Sequence, residues 1–240
     1  LDLLGRHAQQ YPFFADRIAR GHEILDDVYI NWLLLPGLEL ERRGEQAPPL
    51  DRVIFEKMLT KCEKRNHVNW ALVPLIWMRL RYSQSSQLTD DDRERMKQAI
   101  IDTKFWMDEP GEDNNDCYFT ENHQIIFHVD EYVAGQAWPD EVFPSDEATG
   151  AAHKARAEKR IRRWLGWRMR FGFSEWKSLG YSDAELKILL TLREFTDDED
   201  LRQRTDMVID TILLQYALYN FNGDLACSQG RSSWWTIMRG

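Results

Sequence analysis

AELKILLTLREF (residues 184–195) and MVIDTILLQYALY (residues 207–219) decide the fold. Each is apolar around much of a helical circumference, the pattern of helices buried on two sides. The same period runs through the rest of the chain. Phe55, Leu59 and Cys62 fall at i, i+4, i+7, with Leu50, Ile54 and Met58 on the adjoining line. Trp70, Val73, Trp77 and Leu80 repeat the spacing, and Pro74 marks a first turn or a kink within it. Capping-box spacing places helix starts at Thr89 with Asp92, Ser182 with Glu185, and Thr196 with Glu199. No run alternates as a strand would, while GFSEWKSLGY (172–181) and NGDLACSQGR (222–231) read as loops between helices.

The expectation is an all-α chain of about eight or nine helices. Paired helices joined by loops suit a solenoid or an (α/α) toroid built of antiparallel hairpins better than a four-helix bundle. Eight or nine helices fall short of the roughly twelve of a closed ring, so a partial toroid is expected.

A chain of 240 residues with 43% hydrophobic content can bury one large core. The longest polar stretches, GEQAPPL (44–50) and EPGEDNND (109–116), are loop-sized, so a single domain over residues 1–240 is expected. The chain begins with Leu1, which suits a segment of a longer protein. No run approaches the roughly 20 apolar residues of a membrane span, and no basic-then-apolar leader opens the chain. The net charge of −9 argues against general nucleic-acid binding. Cys62, Cys117 and Cys227 have neither zinc-ligand spacing nor the even number of a disulfide framework, and the compartment stays open. Ten tryptophans are unusual for this length: they make a bulky core or provide faces on which sugar rings stack.

YFTENHQIIFHVDEY (118–132) sets two histidines, three acids, an asparagine and a glutamine among apolar residues. With Thr120 as N-cap, Glu121, Gln124, His128 and Glu131 form one polar stripe, expected to face solvent. Asn122, Ile126, Val129 and Val133 form a second line, and His123, Phe127 and Asp130 a third. Asn122 and His123 thus stand in the first turn, where backbone donors and the helix dipole favour an anion. No metal is expected here. HVDE supplies a single His-x-x-Glu, and His123 and His128, five apart, point in different directions. No cofactor is expected either.

HKARAEKRIRRWLGWRMRF (153–171) is basic in an acidic chain. It reads as a solvated outer helix or as a positive rim for an acidic polysaccharide, with Arg168 and Arg170 the better rim candidates.

The segments MDEPGEDNNDCYFTENHQIIFHVDEYVAGQAWPDEVF (107–143), RRWLGWRMRFGFSEWKSLGYSDAELKILLTLREF (162–195) and FNGDLACSQGR (221–231) resemble a bacterial family of largely uncharacterised helical proteins. That family has the look of the (α/α) toroids used by polysaccharide lyases and glycoside hydrolases. The likeness spans about half the chain, and ENHQIIFH and GFSEWKSLGY are its most specific parts. The Asn122-His123 pair also resembles the Asn-His element of toroid-type alginate and heparin lyases. The family pattern implies a histidine where this chain has Gln229, before Gly230 and Arg231.

The resemblance implies a carbohydrate-active domain that cleaves a uronate-containing polysaccharide or oligosaccharide by β-elimination. Such a reaction removes the proton beside a carboxylate and expels the oxygen on the neighbouring carbon, which requires the carboxylate charge to be neutralised. Asn122 and Arg231 suit that neutralisation, His123 the base, and Tyr181 the acid that protonates the leaving oxygen, or both base and acid where proton and leaving group share one face. Trp176 suits stacking on a sugar ring, with Gln124 and Arg170 as further substrate contacts.

Glu121 and Glu175 oppose this reading, since carboxylates in one low-dielectric pocket repel a uronate. Paired carboxylates are instead the equipment of a glycoside hydrolase acting on a neutral glycan. Glu175 also reads as a salt-bridge residue, and Trp176 as core packing. A third alternative is a non-catalytic toroid that binds glycan or protein through its aromatic face, to which Trp234 and Trp235 would contribute. Oligomeric state is left open.

Overall fold

The computed structural model of the chain describes residues 31–65, 69–110, 116–222, 224–225 and 227–231. Trp234 and Trp235 lie outside these. The described residues are all-α in character, with eight α-helices, one short 3-10 helix and four two-residue strands. Among them, no helix is long and apolar enough to cross a membrane. The chain divides into two compact units, one formed mainly by residues up to Lys104 and the other mainly by residues from Cys117 onward.

The first unit holds α1 (Leu34–Arg42), α2 (Arg52–Glu63), α3 (Asn69–Leu80) and α4 (Asp90–Ile101). Ile54, Phe55, Met58, Leu59 and Cys62 of α2 are buried, as their spacing predicts. Pro74 sits inside α3 rather than in its first turn, in a helix buried at every position from Ala71 to Met78. The Thr89–Asp92 capping box is complete, with both reciprocal bonds present. Asp92 also takes two 2.8 Å bonds from Arg52, which tie the start of α4 to α2. That guanidinium, ahead of the opposing effect of burial, holds the Asp92 carboxyl down at about 2.

The second unit holds α5 (Glu121–Ala137), α6 (Gly150–Phe171), α7 (Leu179–Phe195) and α8 (Glu199–Tyr219). Two ladders of two-residue strands complete the elements, β1 (Val142–Phe143) with β2 (Ala148–Thr149) and β3 (Asn220–Phe221) with β4 (Asp224–Leu225). The loop reading of residues 222–231 is therefore corrected at its start, where Asp224 and Leu225 pair back onto Phe221 and Asn220. Helix α5 packs chiefly on α6 and α7, and α8 on α7 and α6. The approach of α5 to α6 needs glycine. A Cβ on Gly135 would stand 2.3 Å from the Gly150 carbonyl oxygen and 2.6 Å from the Lys154 nitrogen.

Two of the expected helix starts are displaced. Ser178, not Ser182, caps α7, accepting from the Tyr181 N–H at 3.3 Å. Asp198, not Thr196, caps α8, accepting from the Leu201 N–H at 2.9 Å. Ser-x-x-Glu spacing also describes two residues on one face of a continuing helix, and that is the case for Ser182 and Glu185.

Two-sided burial fails for residues 207–219. Helix α8 buries Leu201, Thr205, Val208, Ile209 and Ile212, while Leu214 and Leu218 on its other face are 58% and 68% exposed. The basic helix α6 is not simply a solvated outer helix. His153, Ala157, Ile161, Trp164 and Leu165 are buried, and many of its cations are neutralised by acids. Lys154 meets Asp197 at 2.8 Å, Arg162 meets Glu158 at 2.7 Å, and Arg156 and Arg160 both reach the buried Glu131.

Candidate functional site

Helix α5 enters the second unit with its first turn buried. The expectation that Glu121, His128 and Glu131 face solvent is wrong: all three are buried, because α6 and α7 cover α5 over most of its circumference. Thr120 stands at the N-cap but makes no side-chain cap bond. Its hydroxyl instead lies 2.6 Å from His123 Nδ1.

Glu121 and Glu175 build the site between them. One oxygen of Glu121 accepts from the Ser174 hydroxyl at 2.8 Å and from the Glu175 N–H at 2.7 Å. These bonds fix the turn that precedes α7, in which Lys177 takes a left-handed φ of 56°. The turn carries Glu175 to the start of α5. There its carboxylate accepts from the Asn122 backbone N–H at 3.1 Å and from the Asn122 side-chain amide at 2.8 and 2.7 Å. Arg231 also donates to Glu175. Glu175 therefore does what a helix N-terminus and its dipole favour, holding negative charge against the orphan N–H of Asn122.

Arg168 pairs with Glu121, so it is a half-buried partner of the site rather than part of a positive rim. Its guanidinium lies over the rings of Trp164 and Phe173, and burial lowers its pKa. Trp164 donates to the Glu121 carbonyl at 3.1 Å, which locks α6 to the start of α5.

Glu185, from the second turn of α7, is the residue that sequence reasoning missed. An oxygen of Glu185 lies within 4.8 Å of oxygens of Glu121 and Glu175. Its side chain is fully buried, and neither carboxyl oxygen has a hydrogen-bond partner among the described residues. Burial first, and the nearby Glu175 second, push its pKa well above the usual carboxylate range. A signal for it exists in the sequence. Glu185, Ile188, Leu189 and Leu192 share one face at helical spacing, so an acid stands in a core stripe.

Arg231, Tyr181 and Trp176 form the more open edge. The Arg231 guanidinium lies 4.1 Å from the centre of the Tyr181 ring, and its side chain is 43% exposed against 5% for Glu175. Trp176 is 38% exposed, so it is not core packing. Its carbonyl accepts from Gly230 N–H at 2.9 Å, and a Cβ on Gly230 would stand 2.4 Å from its indole. Gln229 has a buried Oε1 with no partner among the described residues. His123 is held at a pKa of about 4 by burial first, with Glu175 raising it and Arg231 lowering it.

The structure thus brings Glu121, Asn122, His123, Glu175, Trp176, Tyr181 and Arg231 into one neighbourhood. It does not bring Gln124, which donates to the Phe119 carbonyl at 2.9 Å, or Arg170, which lies exposed beside the Phe171 ring. No protein-family model, curated protein or solved structure matches the chain.

Proposed function

We propose that this chain is a carbohydrate-active domain, built as a partial toroid of helical hairpins, that cleaves a uronate-containing glycan by β-elimination. One observation carries the reading. The Asn122 backbone and side-chain donors and the Arg231 guanidinium converge on a carboxylate, that of Glu175, beside His123 and Tyr181. That is the chemistry a uronate carboxylate requires before the proton next to it can leave. Consecutive helices packed as pairs, α5 on α6 and α7 on α8, support the hairpin reading.

In this account, a uronate approaches from the open edge formed by Trp176, Tyr181 and Arg231. Arg231 swings from Glu175 to the substrate carboxylate. His123 takes the adjacent proton, the electron pair forms the carbon–carbon double bond, and the glycosidic oxygen leaves with a proton from Tyr181. Trp176 stacks on a neighbouring ring.

Glu185 favours a second reading. An acid whose pKa is raised by burial, beside the carboxylate of Glu175, is the pairing that a glycoside hydrolase uses for proton donation and nucleophilic or base attack. Two assays run on the same panel separate the readings. Elimination from alginate, glucuronan, heparinoid or pectin produces the ultraviolet absorbance of an unsaturated uronate. Hydrolysis produces reducing ends without that absorbance, and such a result would replace the first reading with the second.

A further inference from the structure

We propose that Glu121, Glu175 and Glu185 form a binding site for a hard divalent cation of the Mg²⁺, Mn²⁺ or Ca²⁺ class. The three carboxylates come from the start of α5, the turn before α7 and the second turn of α7. Each offers one oxygen, and these oxygens all lie within 4.8 Å of one another. Metal–oxygen lengths of about 2.1–2.5 Å place the ligands of one ion no more than about 5 Å apart, so a single ion spans the set.

Two further observations point to a ligand rather than to a self-satisfied acidic cluster. Arg168 pairs with Glu121 and Arg231 with Glu175, which leaves Glu185 as the surplus carboxyl. It is fully buried, without a hydrogen-bond partner among the described residues, and directed at the other two. Asn122 Oδ1 is also buried and without a partner among the described residues, and it belongs to the amide whose nitrogen sits 2.7 Å from Glu175. A buried polar oxygen left without a partner is costly, and a cation gives the Glu185 oxygens one. The donors are all oxygens, which selects hard cations over zinc or copper.

The consequence for catalysis rests on the elimination reading. A cation on Glu175 weakens its hold on Asn122 and Arg231, which frees both for the substrate carboxylate. It also adds positive charge beside the surplus carboxyl, which favours an incoming uronate. Ion binding itself does not depend on that reading, so it is tested without any glycan.

The probe is Mn²⁺ added to the 240-residue chain, with free Mn²⁺ read by electron paramagnetic resonance. The expected result is saturable uptake of one ion per chain, displaced by Mg²⁺ or Ca²⁺. Loss of a direct ligand costs no less than loss of an outer-shell partner, so Glu185→Gln should weaken uptake by at least about tenfold. Asp90→Asn, at the exposed start of α4, should leave it unchanged. In the wild-type chain, Mn²⁺ should broaden the Trp164 indole N–H signal early in the titration, because that group lies 3.1 Å from the Glu121 carbonyl oxygen. No saturable uptake, an unaltered Glu185→Gln variant, or a sharp Trp164 signal at saturating Mn²⁺ would each overturn the site. An ion that binds in a chain without lyase activity would retain the site and remove the elimination reading.

Discussion

The side-chain amide of Asn122 donates to both carboxylate oxygens of Glu175, at 2.8 and 2.7 Å. Asn122 therefore has two duties, holding the turn before α7 against α5 and offering donors to a carboxylate. Asn122→Ala should lower stability by about 3 kcal/mol, the scale of hydrogen bonds to a buried charged group. Asn122→Asp should be worse at neutral pH, since it sets a second carboxylate against Glu175, and acid should relieve part of the loss. Urea unfolding of the two variants at pH 7 and pH 5 checks the ordering.

His128 gives a pH dependence with a definite sign. Burial, assisted by Arg160, holds its pKa at about 3 against an ordinary value of 6.5. The unfolded chain therefore binds a proton that the folded chain refuses between those values. The stability this contributes is fully present above about 6.5 and is lost as pH falls toward 3, by up to about 1.4 kcal/mol per pH unit. Urea midpoints measured between pH 7 and pH 4.5 should fall, and the fall should shrink in His128→Gln.

Two glycines should respond in opposite directions. Gly135→Ala drives a methyl into the Gly150 carbonyl and the Lys154 backbone, neither of which can rotate away, and should cost about 3 kcal/mol. Gly166→Ala, inside α6 with nothing within 4 Å of the new methyl, should stabilise by about 0.5–1 kcal/mol through helix propensity. Thermal melting of the two variants separates a close helix approach from an incidental glycine.

In the first unit, Thr89→Ala should cost about 1 kcal/mol as a lost N-cap. Asp92→Ala should cost more, because it removes the reciprocal half of the capping box and both bonds from Arg52. Neither substitution should alter Mn²⁺ uptake. Equilibrium unfolding, paired with the resonance titration, checks both statements.

Helical period was legible because it is a local property. The α2 line from Phe55 to Cys62 and the Thr89 capping box follow directly from residue spacing. What covers a helix is not local. The Glu121 line carries polar residues yet is buried, because its partners, Ser174, Arg168 and Arg156, come from other segments. Residues 207–219 are apolar on two sides, yet α8 covers only one of them. Asn122 and His123 stand out by resemblance, Tyr181 by residue type, and Glu175 and Arg231 by the chemistry they could supply, while periodicity only permits them. Glu185 was hidden by a capping-box spacing that serves equally for two residues on one helical face.

The most direct measurement is the gain of unsaturated-uronate absorbance on the four acidic glycans, by the wild-type chain and by His123→Ala and Tyr181→Phe. The account predicts a steady gain with at least one glycan and a fall of about 100-fold or more in each variant, the scale of a lost general acid or base. Absorbance that persists in both variants would contradict the assigned roles. A flat trace with all four glycans, alongside release of reducing ends from a neutral glycan, would contradict elimination itself.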